Sequence, residues 1–355
     1  MKKIICIFLA IVLIFSFAAC AKSPAKEDST DKSETATANT TTDETEKGND
    51  TADANTAASP ADSQAGLKVG FSLPSMTFPF YVRMYDQIMV EAEARGWDVS
   101  FVDGNLDAGT QLNGLQDMIN NNVDIMIIAT WYIDALADIF TQCGEKGIPV
   151  FLMDNMTIPE GQEKNITFTT GTDNYNAGVV GGTWYADYLS KNGISSIKMI
   201  TVSATSIQQV SRCDGFSDAL KEHGISVEIL NTYDGGKRET AMAASEDALT
   251  AYKDLNLIYG ASAQDSLGAY DATAGANRSE VQVFGFDGED EELANIDKGT
   301  NYIATITQDP AGQAKLVAEK VDLWVGGTTF DQKEETPAGV YCADGQLTGA
   351  EILGN

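Results

Sequence analysis

Histidine occurs once in these 355 residues, as His223, and none of the five cysteines forms a Cys-x-x-Cys pair. Zinc centres draw on clustered cysteine and histidine, so this scarcity argues against one, and no metal is expected. His223 stands in Lys221-Glu222-His223-Gly224, a helix-end sequence where a solvated ring is the ordinary reading. Basic residues are scarce too: 23 Lys and Arg against 52 Asp and Glu leave a formal net charge of -29. Such a surface cannot displace phosphate counterions, which excludes nucleic acid as a partner, and it repels anionic lipid. The P-loop, G-x-S-x-G, H-E-x-x-H and G-x-G-x-x-G patterns are all missing. Neither an enzyme nor a bound cofactor is expected.

Large apolar residues are missing from one long stretch. Residues 21–66 contain no Val, Ile, Leu, Met, Phe, Trp or Tyr. Such a segment cannot bury enough surface to offset its chain entropy, so it reads as a disordered acidic linker. Ahead of it, Lys2 and Lys3 precede an apolar run over residues 4–17 that contains Cys6. The run is short for a membrane span and suits a signal-peptide core. Phe17-Ala18-Ala19-Cys20 then resembles a bacterial lipoprotein signal over residues 1–20. The resemblance implies cleavage before Cys20, a diacylglycerol on its thiol, and a protein lipid-anchored to the cell membrane on its extracytoplasmic face. Cys143, Cys213 and Cys342 remain. They are an odd number, so at least one is a free thiol, and all three read as buried apolar fillers.

From Leu67 onward strands and helices alternate. Residues 68–72, 97–102, 123–129, 148–153 and 166–170 read as strands, and helices over 80–95, 108–121 and 134–146 separate the first four. Val123-Asp124-Ile125-Met126-Ile127-Ile128-Ala129 is nearly all apolar, as a strand buried on both faces requires. Gly96 and Gly147 stand where two of these helices stop. A helix over 175–191 opens a second series. Its strands are 196–202, 227–231, 255–259 and 281–286, and its helices are 209–222, 238–252 and 264–276. Repeated βα units predict parallel sheets covered by helices, here in two α/β lobes.

Ligands of open α/β sheets bind beyond the carboxyl ends of the strands. In those places stand Phe78, Phe80 and Tyr81; Asp154 and Asn155; and Arg212, Ser262, Asp287 and Gln308. Aromatics, carboxylates, one guanidinium and amides suit a polyhydroxyl ligand, whose C–H faces pack on rings while its hydroxyls meet the polar groups. Each residue also has a plainer use. Phe80 and Tyr81 serve equally as core residues at a helix start, Asp154 and Asp287 as turn or capping residues, and Arg212 as a surface charge. Trp131 and Tyr132 follow a strand and divide between lining a cleft and simple packing. Asp173 and Asn174 read as a lobe crossing or helix cap.

Phe71-Ser72 with Pro79-Phe80-Tyr81, Gly147-Ile148-Pro149-Val150 before Asp154, Thr172-Asp173-Asn174-Tyr175, Arg212 before Asp214-Gly215-Phe216, Gly285-Phe286-Asp287-Gly288 and Ile306-Thr307-Gln308 occur in a telling order. From residue 67 to the end the chain resembles the sugar-binding, ribose-binding-protein-like members of the type I periplasmic-binding-protein superfamily. The resemblance implies two Rossmann-like lobes joined by three chain crossings. One lobe takes residues 67–171 with 309–336, the other 172–308 with 337–355. It assigns the sugar sandwich to Phe80 and Tyr81, and the hydroxyl contacts to Asp154, Arg212, Asp287 and Gln308. Phe78 stands where ribose binders have Asn, Asn155 where they have Arg, and Ser262 where they have Asn, so the frame is kept and the specificity altered. The implied role is a monomeric solute-binding protein that closes on a small saccharide and delivers it to the permease of an ABC transporter. The alternative is a sensor that presents its ligand to a membrane receptor or histidine kinase.

Overall fold

The structure, a computed structural model, describes residues 64–354. The expected signal peptide, the lipidated Cys20 and the linker up to residue 63 lie outside the described residues. Residues 64–66, which the composition assigns to the linker, belong to the fold. Gln64 is buried; its amide donates to Asp322 at 2.7 Å and accepts from the Trp97 indole at 2.9 Å.

The first sheet is built from β1 (Lys68–Leu73), β2 (Asp98–Asp103), β3 (Ile125–Ala129), β4 (Val150–Met153) and β5 (Phe168–Gly171), with β11 (Lys333–Glu335) at one edge. Its order is β11-β5-β4-β3-β1-β2 and every pairing is parallel. All five residues of β3 are buried, as its apolar run predicts for a strand covered on both faces. The covering helices are α1 (Pro79–Arg95), α2 (Ala108–Asn120), α3 (Ala137–Lys146, entered through a 3-10 turn at Ile133–Leu136) and, from much later in the chain, α9 (Pro310–Val325). α1 and α3 end at Gly96 and Gly147, both in the left-handed region at φ 69° and 71° that glycine adopts at little cost.

The second sheet runs β13-β12-β10-β9-β8-β6-β7. Its members are β6 (Ser196–Ser203), β7 (Ser226–Asp234), β8 (Leu257–Gly260), β9 (Gln282–Asp287), β10 (Tyr302–Thr307), β12 (Gly339–Cys342) and β13 (Gly345–Thr348). Only the pairings of β12 are antiparallel. The helices here are α4 (Asn174–Lys191), α5 (Ile207–Glu222), α6 (Arg238–Ala251), α7 (Ala263–Gly275), α8 (Asp290–Asp297) and α10 (Gly349–Leu353). The chain passes between the sheets three times: after β5, after β10 and after β11.

Each sheet has a point where strand order reverses, between β1 and β3 in the first and between β6 and β8 in the second. Chain leaving two such strands turns to opposite faces and opens a crevice. Cys143, Cys213 and Cys342 are free and buried, and burial pushes the thiols of Cys143 and Cys213 up to about 12.

Candidate functional site

A cavity of about 240 Å³ lies where the two crevices meet. From the first sheet it takes Phe78, Phe80 and Tyr81 after β1, Thr130 and Trp131 after β3, and Asp154 after β4. From the second it takes Arg212 on α5, Ser262 after β8, Asp287 at the end of β9, and Gln308 after β10.

Arg212 is held by the protein's own groups. It sits on the second turn of α5, whose start is capped by Ser206 accepting from the Gln209 amide at 3.3 Å. Its Nε donates to Asn174 Oδ1 and its Nη1 to the Ala261 carbonyl, both at 2.8 Å. The guanidinium lies 3.8 Å from the centre of the Phe286 ring, and Nη1 is 3.6 Å from Asp287 Oδ1. Nη2 has no hydrogen bond among the described residues, so two of the five guanidinium donors are left for the cavity.

Asp287 is fixed as firmly. One carboxylate oxygen accepts from the Ala263 amide at 3.0 Å, the other from Gln308 Nε2 at 2.8 Å. Its φ of 105° is strained for a residue with a Cβ, and such strain gathers at functional sites. The Gln308 Oε1 is buried and has no partner among the described residues.

The opposite wall is aromatic. Phe78 meets Trp131 edge to face at 5.3 Å between ring centres, and Tyr81 lies 5.9 Å from Trp131. Phe80 and Tyr81 line the cavity and are also core residues, as the packing alternative expects. The Trp131 indole donates to the Tyr81 hydroxyl, which donates to Asp154 Oδ2 at 2.7 Å. Burial, then Asp154, raise the Tyr81 phenol well above its ordinary value. Burial pushes the Asp154 carboxyl up to about 6; the Tyr81 hydroxyl and Arg212 act against this, and Asp287 adds to it.

Nine of the ten expected binding residues line this one cavity, and Asn155 does not. Asp154 takes a left-handed turn at φ 55°, which carries the next residue back onto β5. There the Asn155 amide donates to the Thr170 carbonyl at 3.1 Å, and its side chain accepts from the Thr157 amide at 2.8 Å. Asn155 thus shapes the turn and stays outside the cavity. Ser262 reaches the cavity but caps α7, its hydroxyl bound to the Asp265 carboxylate at 2.7 Å. Tyr132 turns away to the Leu106 carbonyl, while Trp131 lines the cavity. Asp173 caps α4 as expected, but Asn174 lines the cavity and orients Arg212.

Sequence reasoning passed over Thr130, Gln209, Gln264 and Glu289, which also line it. Their signal is positional. Thr130 directly follows β3, Gln209 and Gln264 follow the two reversal-point strands β6 and β8, and Glu289 lies two residues beyond Asp287.

Residues 69–328 match the family model described as a periplasmic binding protein domain. The chain is 26% identical over 254 residues to the ribose import binding protein of Bacillus subtilis, covering 72% of this chain and 80% of that one. The D-apiose import binding protein of Paraburkholderia graminis is 23% identical over 273 residues, covering 76% and 86%. Among solved structures, an ABC transporter solute-binding protein from Mycobacterium smegmatis with bound glycerol aligns with a TM-score of 0.69. It is 26% identical and covered over 95% of its length, against 79% of this chain. A solute-binding protein from Actinobacillus succinogenes with bound D-allose aligns at 0.71 over 78% of this chain and 98% of its own, but at 18% identity it speaks to the fold alone. Two parallel-sheeted lobes, a cavity at their facing strand ends and the matched family model lead to one assignment: the chain belongs to the type I periplasmic-binding-protein superfamily, ribose-binding-like, whose members bind solutes and catalyse nothing.

Proposed function

We propose that this protein captures a single monosaccharide-sized polar solute outside the cytoplasm, closes its lobes on it, and delivers it to the permease of an ABC transporter. It acts as a monomer held at the membrane through a lipid on Cys20. The observation that carries this reading is the cavity's two-sided lining, an aromatic wall from one lobe facing a pre-set guanidinium and carboxylate from the other. Ring faces suit the C–H surface of a sugar, while Arg212, Asp154, Asp287 and Gln308 suit its hydroxyls. About 240 Å³ is below the ~300–1,000 Å³ usual for drug-sized ligands, which favours one sugar unit over a chain of them. Relatives that import ribose and D-apiose by name support the same class of solute.

Neither lobe can surround the solute alone, so full contact needs closure, and the solute's contacts set how populated the closed form is. Arg83 on α1 supports this. Its Nη1 donates to the Gly288 carbonyl of the other lobe at 3.2 Å, the one side-chain hydrogen bond across the cleft among the described residues. Small-angle scattering on the purified protein tests closure. The radius of gyration should fall on saturation with a bound sugar, and a curve unchanged at saturation would contradict it.

A further inference from the structure

The cavity is short of positive charge. Asp154, Asp287 and Glu289 line it against one guanidinium, that of Arg212. The layer behind adds Asp265, which is buried against the Gly236 amide, and Arg83, so acids still outnumber bases by two. Asp287 has its partners, but the other two carboxylates of the lining pair with no cation among the described residues. Asp154 Oδ1 has no hydrogen bond among the described residues, its Oδ2 alone being taken by Tyr81. Glu289 is 5% exposed; its side chain accepts from the Glu292 amide in the capping box that opens α8, and otherwise reaches only the Gln264 amide, at 3.5 Å, with no cation paired to it among the described residues. Arg83 acts on it through space, yet the two form no ion pair among the described residues; Arg83 spends Nη1 on Gly288, and its Nε and Nη2 are buried without partners.

Buried carboxylates that lack a counter-ion are pushed toward their protonated form, and a cation beside them relieves the same cost. That is how these two behave: burial first, then Asp287, pushes Glu289 up to about 7, and burial pushes Asp154 up to about 6. The free hydrogen-bonding atoms are lopsided in the same sense. Asp154 Oδ1 and the orphaned Gln308 Oε1 both require donors, and the Glu289 carboxylate has the Glu292 and Gln264 amides but no charged partner among the described residues. Neutral hydroxyls could satisfy those acceptors but would leave the carboxylates to be neutralised by protons rather than by a cation. A primary ammonium brings three donors and the missing charge together. Phe78, Tyr81 and Trp131 wall the same cavity, and aromatic faces attract such a cation.

We infer that the solute is an amino sugar, a monosaccharide-sized polyol whose protonated amine is held by Asp154, Glu289 and the aromatic wall while its hydroxyls meet Arg212 and Gln308. This rests on the reading of the cavity as a monosaccharide site. Isothermal titration at pH 7.0 with three matched pairs tests it: D-glucosamine and D-glucose, D-galactosamine and D-galactose, D-mannosamine and D-mannose. The amine should bind at least tenfold tighter than its neutral parent in at least one pair, and Glu289→Gln and Asp154→Asn should each narrow that ratio. If the neutral sugars bind as tightly as the amines or more so, the inference fails and the sugar reading stands. A preference unchanged in both variants also overturns it. If no member of any pair binds, the inference fails, and the sugar reading fails with it only if D-ribose and D-apiose also give no heat.

Discussion

Arg212 is the residue on which the site turns, because its geometry is settled without the ligand. Asn174, the Ala261 carbonyl, the Phe286 ring and Asp287 fix the plane of the guanidinium. A ligand hydroxyl meeting Nη2 therefore has little ordering to do, and a hydrogen bond to a charged group is worth about 1.5–3 kcal/mol. Arg212→Ala should weaken solute binding at least about tenfold, the equivalent of 1.4 kcal/mol. Arg212→Lys should not restore it, since one ammonium cannot serve Asn174, the Ala261 carbonyl and the ligand from a stacked plane. Calorimetry reads both, and wild-type affinity in the Lys variant would contradict the fork as the reason for Arg212. Asn155→Ala should do the opposite: affinity unchanged, stability lower by about 1 kcal/mol for the lost Thr157 contact, as seen by chemical denaturation. Most of the lining was legible because it obeys one rule, position just beyond a strand. Asn155 obeys that rule and still misses the cavity. Its fate hangs on the left-handed φ of Asp154, and Asp tolerates that conformation without requiring it.

At the scale of elements, Arg212 depends on how closely α4 and α5 approach. Gly178 of α4 lies against the backbone of Arg212 and Phe216, and Gly215 of α5 against that of Tyr175; a Cβ at either would collide with a carbonyl oxygen. Gly178→Ala should force the helices apart and lower stability by about 1–3 kcal/mol, the usual range for overpacking. Affinity should fall with it, because the same contact sets the height of Arg212. Gly275→Ala is the control: it ends α7 with open space around it and should be neutral or stabilising by a few tenths of a kcal/mol. Denaturant melts of the two variants check this, and equal stability would contradict the close-approach account. The alternation of strands and helices was readable up to β9 because buried parallel strands are short apolar runs between amphipathic helices. β11 was not readable. Lys333-Glu334-Glu335 is wholly exposed and joins the sheet only through backbone pairing with Thr169, Thr170 and Gly171, so no side-chain pattern marks it.

The whole molecule carries an acidic surface and, inside it, carboxyls that folding makes reluctant to ionise. Glu292 is fully buried among Tyr302, Ser266 and Thr305, and burial, then Asp287, pushes it up to about 8. Glu289 is raised to about 7 and Asp154 to about 6. A carboxyl raised in the folded state keeps its proton after the unfolded chain has lost its own, near pH 4–4.5. Its contribution to stability is therefore complete below that point and is lost as pH rises through the folded value. The empty protein should melt at a lower temperature at pH 8 than at pH 5, with self-repulsion from a net charge of -29 acting in the same direction. Glu292→Gln should flatten that slope, and a melting temperature that rises from pH 5 to pH 8 would contradict the account. The central claim, that a single sugar unit fills the cavity between the lobes, is tested most directly by scanning calorimetry of the purified protein with individual neutral and amino monosaccharides. At a hundredfold excess over its Kd the right sugar should add about 2.7 kcal/mol of stability, and Arg212→Ala should cut the gain to about half of that or less. A melting temperature that no monosaccharide of either kind moves, pentoses included, would contradict it.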